Sequence, residues 1–177
     1  LSIGCTLTVE KDRIRVSLRS DPQISAYKNS YFGNSISAVY AGLLTGLPAG
    51  IPRNGGTYRC FEVELGPKGT ITNAESPAPC SLATSNPFDN ITEAVQDALS
   101  KVVPEHALAG WTDFAGVALA GVDPRTEEQF SHLSALAGTG GAGAMWETDG
   151  WSCLGAQAAF GGMRVGNVEE LELQVPI

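Results

Sequence analysis

The sequence has few of the side chains that bind metals or nucleic acids. It contains only two histidines, His106 and His132, and neither has another histidine or a cysteine close by. A metal site needs several converging ligands, so we expect none within this chain. Lys and Arg number 11 against 19 Asp and Glu, giving a net charge of −8. This balance disfavours a nucleic-acid partner, whose phosphates are bound by clustered basic side chains.

Paired cysteines and long apolar runs are also lacking. The four cysteines are far apart and form no C-x-x-C pair, which favours buried free thiols in a reducing compartment over disulfides. The most apolar stretch, residues 36–51, is interrupted by polar residues and glycines and falls short of the roughly 20 residues that span a bilayer. No signal peptide is recognisable after Leu1. We therefore expect a soluble, cytoplasmic protein with no membrane partner. Because the sequence does not begin with methionine, we also expect it to be a fragment of a longer chain.

Alternation of apolar and polar residues predicts β-strands early, midway and late in the chain. Residues 3–9 and 14–18 have the pattern of a β-hairpin around a turn at 10–13. Further strands are expected at residues 57–65, 110–122 and 171–175.

Two amphipathic helices are predicted between the strands. Apolar side chains recur at helical spacing over residues 33–47, with Asn34 or Ser35 as the candidate N-cap and Pro48 as the stop signal. A second such pattern covers residues 90–103. This order predicts an α+β fold: mixed β-sheets with a few packed amphipathic helices and a glycine-rich loop.

The chain length fits a single core, or two small subdomains packed together. Residues 72–87 accumulate prolines and small polar residues, which predicts a flexible joint, and residues 121–129 form a second candidate joint. We interpret residues 1–177 as a single module, with 1–80 and 81–177 as the alternative subdomains.

Side chains that could catalyse a reaction are few. His132 lies among apolar neighbours and is interpreted as structural rather than as a general base. Glu62 and Glu64 share one face of a strand, which suits acid/base chemistry, but a solvated strand face is the favoured interpretation. Ser152 lacks the G-x-S-x-G elbow of hydrolases. No catalytic residue is therefore assigned.

The run LAGTGGAGAMWETDGW, residues 136–151, is rich in glycine and ends in a tryptophan. It contains the dinucleotide spacing G-x-G-x-x-G, but no helix pattern follows and the acidic residue expected about 20 positions on is missing. It also lacks the Lys and Ser or Thr of a P-loop. We expect a close-packed backbone segment at a domain or subunit contact, with an active-site loop as the alternative. The candidate residues are Gly138, Gly140, Gly141, Trp146 and Trp151.

The segment RNGGTYR, residues 53–59, is predicted to form a turn that leads into a strand. Asn54, Gly55 and Gly56 set the backbone of this turn. Arg59 is available to a carboxylate or a phosphate. Structural use of the segment is favoured over ligand contact.

Several motifs resemble those of the hydantoinase B/oxoprolinase family. IPRNGGTYRCFEV, residues 51–63, is similar to the family's P-x-N-x-G segment and its following strand, and PKGTITN, residues 67–73, to its P-x-G-[ST]-x-x-N. The helix with SAVYAGLL precedes these motifs, and the pair Thr84 and Ser85, the glycine-rich run and the ending GNVEELELQV come after them, all in the family's order. The resemblance covers nearly the whole chain.

Within this family, the chain looks closer to the large subunit of acetone and acetophenone carboxylase-type enzymes, because of DGW at residues 149–151 and the ending GNVEELE. It resembles only the C-terminal module of that subunit. One departure is TSNPF at residues 84–88, where the family commonly has Thr-Ser-Gln-Arg. The roles of that Gln and Arg are therefore not carried over.

The resemblance implies part of a multisubunit ATP-dependent enzyme with a kinase-like, ATP-binding partner subunit. The first expectation is ketone carboxylation through a phosphorylated enolate and carboxyphosphate. The alternatives are an ATP-dependent amidohydrolase of the hydantoinase or oxoprolinase type, which opens a phosphorylated amide with water, and a noncatalytic assembly subunit. The family's metal ligands belong to an upstream region, so ATP and a divalent metal are expected elsewhere in the complex. The isolated chain is expected to be inactive.

Overall fold

A computed structural model describes residues 1–110, 117–134 and 143–150. The first sheet contains three strands in the order β1, β2, β3, which cover Ile3–Val9, Ile14–Ser20 and Phe61–Glu64. β1 and β2 form the predicted antiparallel hairpin, whereas β3 runs parallel to β2. With the helices described next, this mixed sheet confirms the predicted α+β fold.

The described residues include three α-helices that accompany this sheet: α1 (Phe32–Thr45), α2 (Gly55–Tyr58) and α3 (Pro87–Ser100). Neither predicted N-cap of α1 is correct, because the helix begins earlier and its N-cap is Tyr31. Asn34 Nδ2 and Ser35 Oγ instead lie 2.8 and 2.7 Å from Ser30 Oγ. Hydrogen bonds from these two residues, which lie within the first turn of α1, thus hold Ser30 just before the helix.

The apolar core lies where α1 and α3 pack together and against the sheet. Its fully buried side chains come from β2, α1 and α3. The two helices approach closely at Gly42, where a Cβ atom would lie 2.8 Å from Val95 Cβ. α3 also contacts β1. Segments on both sides of residue 80 therefore contribute to one core: Val16, Leu18, Val39, Leu43, Ile91, Val95 and Leu99.

Residues 72–87 do not form the loose joint that their composition predicts. Asn29 Nδ2 donates to the Pro79 carbonyl at 2.9 Å, and Tyr31 Oη donates to the Ala78 carbonyl at 2.9 Å. Thr72 is fully buried. These bonds attach the segment to the start of α1, because side chains remote in sequence supply donors for its backbone carbonyls.

A second sheet is an antiparallel hairpin of β4 (Val117–Val122) and β5 (Gln129–Ser134). The predicted joint at residues 121–129 is the turn of this hairpin, and Asp123 N donates to the Glu128 carbonyl at 2.9 Å. β5 was not expected from the sequence, and His132 lies in it. The predicted strand at 171–175 lies outside the described residues.

A 3₁₀ turn at Pro104–His106 follows α3. The strand predicted at 57–65 is shorter than expected, because its first residues belong to α2. Of the strand predicted at 110–122, the described part contains only β4. No helix in the described ranges is long and apolar enough to cross a membrane.

Candidate functional site

The segment RNGGTYR forms a one-turn helix, α2, rather than a simple turn. Asn54 is its N-cap, and Asn54 Oδ1 accepts hydrogen bonds from Gly56 N at 2.9 Å and Thr57 N at 3.4 Å. A Cβ atom at Gly56 would lie 3.0 Å from Asn54 Oδ1, whereas one at Gly55 would meet nothing within 4 Å. Gly56 therefore keeps the capping oxygen close to the backbone.

Tyr58 holds α2 against the rest of the fold. Its ring stacks on Tyr40 of α1, with centroids 4.8 Å apart and planes inclined by 9°. Phe61 at the start of β3 contacts both rings at an angle. Arg59, one residue after Tyr58, is exposed and pairs with no carboxylate in the described ranges. The segment thus anchors a turn and presents a free guanidinium at the surface.

The PKGTITN segment is also used to build a loop. Gly69 adopts a φ of +82°, which favours glycine. Thr72 Oγ1 donates to the Leu65 carbonyl at 2.8 Å, and Asn73 Nδ2 donates to the Gly66 carbonyl at 3.0 Å. The polar side chains of this motif are therefore bonded to the backbone around it, and they hold the chain as it leaves β3.

Glu62 is part of an exposed ion-pair cluster. Its carboxylate pairs with Arg13 and, at 3.0 Å, with Arg15. Hydrogen bonds from Arg15 and then Arg13 lower the pKa of Glu62 below its ordinary value, so the group stays ionised at neutral pH. An ionised, paired carboxylate cannot serve as a general acid, which supports the solvated-face interpretation of this strand.

The described part of the glycine-rich run starts at Gly143. A Cβ atom at Gly143 would overlap the Ala109 carbonyl, and Ala109 N donates to the Ala144 carbonyl at 2.9 Å. The backbone here therefore lies directly against residues 107–110. Gly138, Gly140, Gly141 and Trp151 lie outside the described residues, and their contact role stays a prediction.

Trp146 is 63% exposed and borders a cavity of about 510 Å³ beside α3. Glu93 and Asp97 of α3 line the same cavity, together with the exposed side chain of Met145. The cavity therefore combines two carboxylates with two large apolar side chains.

A second cavity, of about 450 Å³, opens at the first turn of α3. Its polar lining comes from Lys28, Asn86 and Asn90. The sequence patterns predicted no functional role for these three residues. One pattern pointed to this region, because TSNPF, residues 84–88, departs from the family's motif. Lys28, in a loop, thus lines the same cavity as Asn86 and Asn90 at the start of α3, although more than 50 positions separate them.

Metal and thiol chemistry have little support among the described residues. No group of three or more His, Cys, Asp and Glu side chains there is placed to hold a metal ion. The thiols of Cys5, Cys60 and Cys80 are free. The prediction that they are buried is wrong, because Cys60 is exposed and the other two are partly exposed. Burial raises the pKa of the Cys5 thiol to about 11, which keeps it protonated and poorly nucleophilic.

Comparison with known proteins gives this arrangement a family. The family model for hydantoinase B/oxoprolinase matches residues 1–177. The beta subunit of caprolactamase from Pseudomonas jessenii is 39% identical over 178 residues, which cover 100% of this chain and 31% of the relative.

Two solved structures share the fold. The crystal structure of ATP-dependent caprolactamase from Pseudomonas jessenii superposes with a TM-score of 0.86 at 40% identity, over 99% of this chain and 31% of that chain. The nucleotide-free structure of acetone carboxylase superposes with a TM-score of 0.79 at 22% identity, over 96% and 23%. At 22% identity, the similarity to acetone carboxylase shows a shared fold alone.

The fold and motifs define an α+β module found in enzymes much longer than this chain. The chain belongs to the hydantoinase B/oxoprolinase family. It spans about a third of the length of its caprolactamase relative.

Proposed function

We propose that this chain is part of a subunit of an ATP-dependent complex that hydrolyses a cyclic amide. The observation that supports this most strongly is the 39% identity to a caprolactamase beta subunit over the full length of the chain. The matching superposition, with a TM-score of 0.86, supports the same assignment.

Ketone carboxylation, the first expectation from sequence, is the second candidate. Its support is the acetone carboxylase fold, at 22% identity. Identity to the caprolactamase structure is 40%, which favours amide hydrolysis. Both reactions use ATP to activate a carbonyl oxygen, so the choice between them depends on the substrate.

The proposed role of this module is to shape the complex rather than to carry the reacting groups. The motifs that identify the family, at Asn54 and at residues 67–73, have their polar atoms bonded to nearby backbone. Glu62 is held by two arginines. We place ATP, a divalent metal and a kinase-like partner subunit elsewhere in the complex.

In the proposed reaction, ATP phosphorylates the amide oxygen and releases ADP. Water then attacks the carbonyl carbon, the C–N bond breaks, and the nitrogen leaves as an amine after gaining a proton. This leaves an acyl phosphate, which a second water hydrolyses to the carboxylate and inorganic phosphate. One ATP and two waters are thus consumed for each ring opened, and ATP hydrolysis is coupled to ring opening.

The test uses the complete protein together with its ATP-binding partner subunit. The purified complex is incubated with ATP, Mg²⁺ or Mn²⁺, and ε-caprolactam, and ADP and 6-aminohexanoate are measured. A parallel reaction contains acetone and bicarbonate, and acetoacetate is measured. We expect ADP release to depend on the lactam and to match amino acid formation.

Two results would contradict the proposal. ATP-dependent formation of acetoacetate from acetone and bicarbonate, with no lactam turnover, would establish the carboxylase alternative. An assembled complex inactive on both substrates and on a panel of lactams and hydantoins would favour a noncatalytic assembly subunit.

A further inference from the structure

Asn54 is followed by glycine, and no other asparagine in the sequence is. A peptide nitrogen that follows an asparagine can attack the side-chain amide carbon and close a five-membered succinimide ring. Glycine favours this reaction, because no β-carbon hinders its nitrogen or limits the backbone rotation that ring closure needs. Among the asparagines of this chain, Asn54 therefore has the neighbour best suited to ring closure.

The nucleophile of this reaction is accessible. Asn54 and Gly55 are both exposed, and a Cβ atom at Gly55 would meet nothing within 4 Å. Gly55 is the first residue of α2, and its N–H donates no hydrogen bond within the described ranges. The attacking nitrogen thus has neither steric cover nor an acceptor that holds its proton.

The helix cap polarises the electrophile. Asn54 Oδ1 accepts hydrogen bonds from Gly56 N at 2.9 Å and from Thr57 N at 3.4 Å. Negative charge develops on this oxygen when a nitrogen attacks the amide carbon, and backbone N–H groups aimed at such an oxygen stabilise the transition state. The two donors that cap α2 therefore also favour attack at Asn54 Cγ.

Ring closure requires the backbone to move at Asn54. Its backbone is extended, with φ −143° and ψ 176°, and rotation about the Cα–C bond must bring Gly55 N towards Cγ. This rotation breaks the hydrogen bond that Tyr58 N donates to the Asn54 carbonyl at 3.2 Å. No residue of α2 is buried, so the rotation disrupts no packed core, and we expect a slow reaction.

We propose that Asn54–Gly55 is a site of spontaneous deamidation in the folded protein. Gly55 N bonds to Asn54 Cγ, the bond from Cγ to the side-chain nitrogen breaks, and that nitrogen leaves as ammonia with the proton that Gly55 N gives up. Water then opens the succinimide at either carbonyl carbon, which yields aspartate or isoaspartate at position 54. Water is the only co-reactant.

The two products affect α2 in opposite ways. Aspartate keeps an oxygen that accepts from Gly56 N and adds a negative charge at the N-terminal end of the helix, where this sign is favourable. Isoaspartate adds a methylene group to the main chain and carries its carboxylate directly on Cα. The cap then no longer fits, so isoaspartate loosens α2 and moves the exposed Arg53 and Arg59 that flank it.

The test incubates the complete protein at mildly alkaline pH, with circular dichroism to confirm that it stays folded. Peptide mapping by mass spectrometry detects the mass gained where an amide becomes an acid. We expect the peptide that contains Asn54 to gain this mass and to separate into two products, while Asn29, Asn34 and Asn73 stay unmodified. Asp149, which also precedes glycine, does not interfere, because its isomerisation changes no mass.

Gly55→Ala is the decisive variant. Its β-carbon fits without contact but hinders the nitrogen, so we expect unchanged thermal unfolding and about tenfold slower deamidation at Asn54. Gly50→Ala is the matched control, because a Cβ atom there also meets nothing within 4 Å and Gly50 does not follow an asparagine. This control should deamidate at the wild-type rate.

Three results would overturn the proposal. The first is an unmodified Asn54 in the folded protein, and the second is an equal rate of modification in Gly55→Ala. The third is modification that begins only when the chain is unfolded in urea, because it would show that the fold protects this pair.

Discussion

At the scale of single residues, Gly42 sets how closely α1 and α3 pack. Its missing side chain faces Val95, and a Cβ atom would also lie 3.0 Å from the Thr92 carbonyl. Gly42→Val should therefore push the helices apart. Because overpacking a core usually costs about 1–3 kcal/mol, we expect the free energy of unfolding to fall by that amount in urea denaturation.

Gly33→Ala is the matched control on the same helix. A Cβ atom at Gly33 would meet nothing within 4 Å, and alanine is favoured over glycine in helices by up to about 1 kcal/mol. This variant should be as stable as the wild type or more so. Equal destabilisation of both variants would contradict this explanation, because it would show that the contact with Val95 is not what disfavours a side chain at Gly42.

Asn54 carries a second prediction at this scale. Asn54→Ala removes the acceptor for Gly56 N and Thr57 N, and loss of an N-cap typically costs about 1 kcal/mol. We expect that decrease in the free energy of unfolding, while Asn54→Ser retains most of the stability. If the alanine variant is as stable as the wild type but the complex loses turnover, Asn54 contacts a ligand instead.

At the scale of elements, the cluster on β2 and β3 predicts a dependence on pH. Arg15 and Arg13 lower the pKa of Glu62 from its ordinary value of 4.5 in the folded state. A lowered folded-state pKa means that the stabilisation is present above pH 4.5 and is lost as the pH falls through the folded value. Glu62→Gln should therefore be less stable than the wild type at pH 7 and equally stable near pH 2.

Urea denaturation at the two pH values checks this, with Glu64→Gln as the control. Glu64 lies on the same strand but forms no ion pair in the described ranges. The cluster is exposed, so added salt should also reduce the difference at pH 7. A difference that persists near pH 2 would mean that Glu62 stabilises the sheet by packing rather than by charge.

Elements with a regular local pattern could be predicted from the sequence. β1 and β2 alternate apolar and polar residues on both sides of a short turn. The predicted hairpin is therefore confirmed, and its first strand has the predicted bounds, Ile3–Val9. α3 starts three residues earlier than expected, at Pro87. Proline fits the first turn of a helix, where its missing N–H is not needed.

Elements that depend on tertiary contacts could not be predicted. β5 has the polar sequence QFSHLS, and the acidic turn before it resembles a joint. α2 is a single turn stabilised by the Asn54 cap and by stacking of Tyr58 on Tyr40. The cavity joins Lys28 to Asn86 only because the segment before α3 packs against the start of α1, and no local pattern records that contact.

At the scale of the whole molecule, the chain exposes large apolar side chains at several places. Phe32 and Trp146 are each more than 60% exposed. Single exposed apolar residues are ordinary, but Trp146 lies beside Met145 at a cavity with two carboxylates. Because the chain is about a third of its relative's length, we expect this surface to contact another part of the complex.

Substitution of Trp146 tests that expectation. Buried tryptophans dominate the energy of many interfaces, and a central one often contributes 2 kcal/mol or more. Trp146→Ser in the complete protein should therefore weaken association with its partner subunit at least tenfold, measured by size-exclusion chromatography and calorimetry. Trp146→Tyr keeps a large aromatic ring and should restore most of the affinity. A complex that assembles normally with serine but turns over more slowly would place Trp146 in an active-site wall instead of a contact surface.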